Sequence, residues 1–333
     1  MNTIRLNSIG IDATPAAGGG GGNGGGGSAS KWTGHADAEG LKAIGWTDED
    51  IAYYQEHGVN WNAEDDEYHK VTDDNKALYG VLTADNISSY KNRIVYLPKI
   101  DTSGKTSMSS MFNGCNSLVS IPQLDTSNVT SMYQMFNGCN SLVSIPQLDT
   151  SNVGSMYQMF SGFYSLVSVP QLDTSNVTNM YSMFSSCNSL VSIPQLDTSN
   201  VTDMSQMFSG CNSLVSIPQL DTSNVTKMGS MFGSCYSLVS VPQLDTSNVT
   251  NMYSMFGACP SLTYINLKNA NRAYEFNSAN LLSKESLLYL INNEAATSAI
   301  TIKLAAYAYT RLAENADVVA ALANHPNISL ASA

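Results

Sequence analysis

The sequence predicts a repeat solenoid of 24-residue coils, each contributing a short strand and a short helix, with small mixed α/β regions flanking the stack. Three observations predict it. Asp101, Asp125, Asp149, Asp173, Asp197, Asp221 and Asp245 recur 24 residues apart without slippage. Two further columns keep the same phase, Met108, Met132, Met156, Met180, Met204, Met228 and Met252, and Met111, Met135, Met159, Met183, Met207, Met231 and Met255; together they hold every methionine except Met1. A unit this short cannot bury its own apolar face, so neighbours must stack and share one core. At ~4.8 Å per coil the stack is roughly 30 Å long.

The representative unit reads "LDTSNVTSMYQMFNGCNSLVSIPQ". Its "SNVTSMYQMFNG" predicts a short helix capped by Asn128, with Val129, Met132 and Phe136 on one face and Gly138 near its end. "LVSIPQL" predicts an extended rung whose Leu142, Ile145 and Leu148 face inward. Pro146 lacks an N–H, so pairing between coils is expected to centre on residues 143–145.

Five regions follow along the chain. Residues 1–17 carry a weak apolar alternation, Ile4, Leu6, Ile9 and Ile11, suited to a short docking peptide. Residues 18–30 form a glycine-rich linker, whose ten-residue core (18–27) has a reach of about 17–19 Å. Residues 31–93 predict a small acidic, mainly helical domain, with helix starts at "TDEDIAYYQEHG" (capped by Thr47) and "TADNISSYKN". Residues 94–268 are the solenoid, and 269–333 an α/β cap over its open end. Within the cap, "LSKESLLYLINNEA" predicts a helix capped by Ser283, "SAITIKL" a strand, and "LAENADVVAALANHP" a further helix.

Composition removes several function classes. The 333 residues are 43% hydrophobic, enough for a core, but only 13% charged, with a net charge of −12. Phosphate contacts need clustered Lys and Arg, and nothing basic clusters here, so nucleic acid is not an expected partner. No stretch approaches the ~18–20 apolar residues of a membrane span, and residues 1–17 lack a signal-peptide core, so export by that route is not expected.

The wording "DTSNVT.M..MF.GC.SL" resembles the BspA-like leucine-rich repeats of surface proteins from gut and oral bacteria and of mycoplasma lipoproteins, over about residues 94–265. The resemblance implies a leucine-rich-repeat-like solenoid and roles in adhesion or surface recognition. It brings no catalytic residues. The absent export signal, short N-terminal peptide and glycine linker give a layout that resembles a bacteriophage virion fibre or decoration protein instead.

Cys115, Cys139, Cys187, Cys211, Cys235 and Cys259 form a column that Phe163 interrupts. Adjacent thiols could come within disulfide distance. However, a slot that accepts phenylalanine, with no C-x-x-C and no recurring histidine, predicts a buried, reduced packing column. A larger side chain in a closed core costs ~1–3 kcal/mol. Since the same coil has Gly154 in place of the usual threonine, the slot there is expected to be partly open or relaxed. The aspartates could make a calcium ladder, but Thr, Ser and Asn surround them. Repulsion of about 0.9 kcal/mol between neighbours can be offset by bonds to turn N–H groups, so a structural turn is expected. The methionine columns read as core rather than an adaptable groove. His35, His57, His69 and His325 are scattered, and the acidic run 63–69 reads as a solvated loop or helix start. No catalytic set, cofactor or metal is expected.

Variation between units marks the exposed face. Tyr133, Tyr157, Tyr181 and Tyr253 share one column with Ser205 and Gly229, and Tyr164 and Tyr236 share another with asparagines. These six tyrosines are the candidate recognition surface, amphipathic contacts suited to a glycan or protein. The expected function is a non-enzymatic, virion-attached fibre or decoration protein for host-surface recognition. It would bind a virion protein through the N-terminal peptide and a host glycan or protein through the solenoid, multivalently. A bacterial cell-surface or secreted adhesin and a purely architectural protein are the alternatives. A homo-oligomer fits the layout, although no sustained heptad specifies one.

Overall fold

The computed structural model describes residues 59–62 and 67–70, 84–91 and 97–100 in part, and 102–333 apart from 270–272 and 294–298. Its centre is the expected leucine-rich-repeat-like solenoid. In the coil from Asp125, Val129, Met132, Met135, Phe136, Cys139, Leu142, Ile145 and Leu148 all point inward, and the same columns continue from coil to coil as one core. Seven phenylalanines from Phe112 to Phe256 stack along the axis with ring centroids 5.4–5.9 Å apart.

The segment expected as a helix is instead a run of hydrogen-bonded turns. Met135 N–H donates to Met132 O, Asn137 to Gln134 O, and Cys139 to Phe136 O, each at 3.2 Å. The alternate donors leave the coil: Gln134 N–H reaches Tyr157 O at 2.9 Å, Phe136 reaches Met159 O at 2.9 Å, and Gly138 reaches Ser161 O at 2.8 Å. A helix would keep all these bonds to itself. Here every second one ties a coil to the next, and Gln134 (φ 52°) and Gly138 (φ 73°) take the left-handed conformation that this alternation needs. Asn128 is not a cap. Its Nδ2 donates to Ser103 O of the preceding coil at 3.1 Å.

Pairing between coils also sits elsewhere than expected. A parallel bridge per coil runs Ser107, Ser131, Ser155, Asn179, Asp203, Lys227, Asn251, at the start of the turn run. On the 143–145 side, main-chain bonds appear between Val191 and Val167 and between Val239 and Val215, and a true parallel pair forms only at the end, β3 (Ser240–Asp245) with β4 (Tyr264–Lys268). The prolines withhold a donor, and glutamine side chains replace it: Gln123, Gln147, Gln195 and Gln219 each donate Nε2 to the carbonyl of the glutamine one coil on, at 2.6 Å.

The ends differ from the coils. Before the first coil, a 3-10 turn over Ile87–Tyr90 stands where the helix of "TADNISSYKN" was expected, and it buries Ile87 in the core. Of the earlier residues, β1 (Val59–Asn62) and β2 (Glu67–Lys70) pair antiparallel, and the last residues of the acidic run lie in β2. The helix expected from Thr47, the linker and Ile4, Leu6, Ile9 and Ile11 lie outside the described residues.

After β4 come β5 (Tyr274–Phe276), α1 (Lys284–Asn292), β6 (Ile300–Leu304), α2 (Ala306–Leu312), α3 (Ala316–Asn324) and β7 (Ile328–Ser332). The strands form one parallel sheet in the order β5-β6-β7, with Tyr274 opposite Ile302 and Ile302 opposite Leu330, a step of 28 residues. Ser283 caps α1 as its sequence predicts, accepting from Ser286 N–H at 3.1 Å. The buried Ser286 hydroxyl accepts from Ile265 N–H and donates to Ile265 O, both at 2.9 Å, so α1 closes the free edge of β4. Phe276 packs on Phe256 at 5.6 Å and joins this end to the common core.

Candidate functional site

The solenoid places the six candidate tyrosines in three situations. Tyr133, Tyr157 and Tyr181 occupy one column in consecutive coils, and the inter-coil spacing stacks their rings at 4.8 and 4.9 Å with planes within 11°. Tyr253 shares their column but is cut off by Ser205 and Gly229 and stands 76% exposed. Tyr164 and Tyr236 are about half exposed in the second column, three coils apart, and do not meet. One ridge of three and three separate rings therefore replace a single patch.

The ridge has a polar border. Asn113 Nδ2 donates to Gln134 Oε1 at 3.3 Å, Gln134 Nε2 donates to Gln158 Oε1 at 2.6 Å, and Gln206 Oε1 accepts from both Tyr181 (3.0 Å) and Ser182 (3.1 Å). This amide row next to the rings was not singled out from the sequence, although its Gln, Gln, Ser, Gln order is readable there. Stacking consumes ring faces, so the ridge offers edges and hydroxyls at a regular interval. The Tyr157 hydroxyl is pushed above its usual range by burial between its neighbours, then by the proximity of Tyr181, Tyr133 and Asp203. It stays a neutral donor and acceptor at physiological pH.

The thiol column has no comparable chemistry. All six cysteines are free and buried. The Sγ–H groups of Cys139, Cys187, Cys211, Cys235 and Cys259 donate to the carbonyls of Phe112, Phe160, Phe184, Phe208 and Phe232, at 3.0–3.1 Å. Burial pushes Cys115, Cys187 and Cys259 up to about 12, and Cys139, Cys211 and Cys235 well above their ordinary value. A thiolate nucleophile is not formed there at neutral pH.

Of the two expectations for the Phe163 slot, partly open or relaxed, the open one does not hold. The side chain is fully buried, edge-on to Phe160 at 6.3 Å and 79°. Bonds from Gly138 to Ser161 and from Gly162 to Ser185 keep 2.8 and 2.7 Å, as in other coils. The Phe136–Phe160 and Phe160–Phe184 separations of 5.9 and 5.5 Å lie within the 5.4–5.9 Å range of the ladder, so the ring is accommodated without disturbing the phenylalanine stack. The same coil is irregular at its corner. Thr102 and Thr126 accept from the next coil's aspartate N–H, Thr174, Thr198 and Thr222 donate to the next aspartate's carbonyl, and the buried Thr150 hydroxyl between them has no partner among the described residues.

The aspartates are turn formers. In each of Asp125, Asp149, Asp173, Asp197 and Asp221 the Oδ1 accepts from the N–H and the hydroxyl of the serine two residues on, at 3.0–3.1 and 2.7 Å. These bonds hold Asp149, Asp173 and Asp197 below the usual carboxylate range, and the serine hydroxyl has the largest effect. Among the described residues no group of His, Cys, Asp and Glu is arranged to hold a metal ion, and no helix is long and apolar enough to cross a membrane.

No curated protein matches the chain. Among solved structures, the leucine-rich repeat protein of T. pallidum shares 19% identity over 62% of this chain and 81% of that one, with a TM-score of 0.37. The plant peptide hormone receptor RGFR1, solved in complex with RGF2, shares 12% identity over 63% of this chain and 48% of that one, with a TM-score of 0.26. A family model described as "Mycoplasma protein of unknown function, DUF285" matches residues 84–193 and 186–285, the solenoid with the start of its C-terminal cap and more than half of the sequence. With its 24-residue BspA-like wording and its leucine-rich-repeat-like solenoid, the chain belongs to the DUF285 family.

Proposed function

We propose that the chain is a non-enzymatic recognition scaffold whose solenoid holds the tyrosine ridge rigid against a host-surface partner. One observation carries this reading. The interior columns of Val, Met, Phe and Leu are held nearly unchanged, while variation falls on columns that reach the surface, where Tyr133, exposed, and Tyr157 and Tyr181, half-buried, stack beside a row of amides. A rigid ridge is pre-organised, so little side-chain entropy is lost on contact. Stacked rings present edges and hydroxyls, which suit a protein partner or the hydroxyl rims of a glycan rather than a sugar seated on a ring face. A short apolar peptide followed by a glycine-rich linker fits a tethered fibre or decoration protein on a virion, where several copies would multiply weak contacts. The BspA-like wording of the repeats supports a second reading, a bacterial cell-surface or secreted adhesin.

The test is binding of the full chain and a Tyr157→Ala/Tyr181→Ala variant to host cells and to a glycan array. The ridge reading expects a loss of about tenfold or more, the scale of a hot spot. Wild-type binding that the double variant leaves untouched moves recognition elsewhere. No binding in any arm leaves the architectural role. Detection of the chain in purified particles, against detection on bacterial surfaces, separates the two attachments.

A further inference from the structure

The charges of the solenoid are segregated. Between residues 102 and 267 they are Lys105, Asp125, Asp149, Asp173, Asp197, Asp203, Asp221, Lys227 and Asp245, of which Asp203 and Lys227 pair at 3.2 Å. The stretches 138–148, 162–172, 186–196, 210–220 and 234–244 contain none. Along the middle of this neutral side runs a second exposed column that the sequence reading passed over. Val143, Val167, Val191, Val215 and Val239 are 36, 52, 48, 45 and 40% exposed, one per coil. The serines that follow them and the glutamines four residues on are partly or wholly exposed. The first member of the column, Val119, is only 6% exposed, so in the first coil the same position is already covered.

We propose that this valine column is a self-association surface, on which a second copy of the chain docks about a two-fold axis. Three arguments select a second copy. First, a chain of net charge −12 can meet its own copy closely only on a side without charge. Second, identical side chains repeated at the strand-stacking interval of ~4.8 Å are complementary to themselves, the geometry by which like ladders interdigitate in dry zippers. Third, five coils at that spacing and a rung of about 20–25 Å cover roughly 500–600 Å² per copy. The pair then buries about 1,000–1,200 Å², the low end of specific interfaces. A weak, concentration-dependent dimer follows.

Full overlap fixes the register. An antiparallel two-fold at the level of Val191 sets Val143 against the partner copy's Val239 position and Val167 against its Val215 position. It brings Tyr164 to the level of Asn212, and Tyr236 to that of Asn140, so each large side chain meets a smaller one.

Sedimentation velocity of the full 333-residue chain from about 1 to 200 µM tests this, with circular dichroism as the folding control. Wild type is expected to shift from monomer to dimer across that range, and high salt is expected not to weaken it, since the contact is apolar. Val191→Lys places like charges at the axis and should raise the dissociation constant at least about tenfold. Val167→Lys and Val215→Asp should each weaken the dimer, and the double variant should restore it, because position 167 of one copy faces 215 of the other. A wild type that stays monomeric to 200 µM, a dimer indifferent to Val191→Lys, or a double variant no better than the singles overturns the proposal.

Discussion

The carboxylates of Asp149, Asp173 and Asp197 each hold a serine N–H and a serine hydroxyl, and their acidity rises as a result. The sign follows from linkage. A folded value below the unfolded one near 3.9 gives stability that is complete above that pH and is lost as pH falls through the depressed value. Thermal melts by circular dichroism should therefore show a falling melting temperature below about pH 4, with a shallower fall in Asp149→Asn/Asp173→Asn/Asp197→Asn. Equal slopes would place acid sensitivity in other groups. The local role of these aspartates was legible because an Asp two residues before a Ser is self-sufficient chemistry. The fit of Phe163 was not, since it depends on the edge-on placement of its ring against Phe160, a geometry no residue type encodes.

At the scale of elements, the least legible feature is the turn run over 132–142. Its apolar spacing is that of a helix, and the same spacing serves a chain of turns whose alternate N–H groups leave for the next coil. Propensity cannot separate these, because the deciding bonds are between coils. The C-terminal helix was legible, since Ser283 and its apolar face are local signals. Its Ser286 does more than pack. Ser286→Ala would leave Ile265 N–H and C=O buried and unpaired, for which about 1–3 kcal/mol is expected. Chemical denaturation should show that loss, and an unchanged midpoint would mean that α1 does not close β4.

The solenoid is a one-dimensional stack, because each described coil bonds to its neighbours along the axis. Excision of residues 173–196 joins Leu172 to Asp197 in phase and keeps every column intact. The shortened chain is expected to fold, with a melting temperature lower by roughly 2–8 °C. Excision of residues 173–184 alone breaks the phase and should abolish cooperative melting. If both variants melt alike, the stack is not held by its 24-residue register.

The solenoid, its period, its interior columns, the burial of the thiols and the turn role of the aspartates could be read from residue order alone. All of these follow from composition repeated in phase or from bonds within a few residues. Stacking of the coils settled which N–H groups cross between them and how glutamine side chains replace the prolines' missing donors. It also decided that three tyrosines stack while three stand alone, and that a valine column lies open on a side without charge. The physical reason is common to these. Each depends on the distance and angle between residues 24 apart, which stacking sets and local chemistry does not.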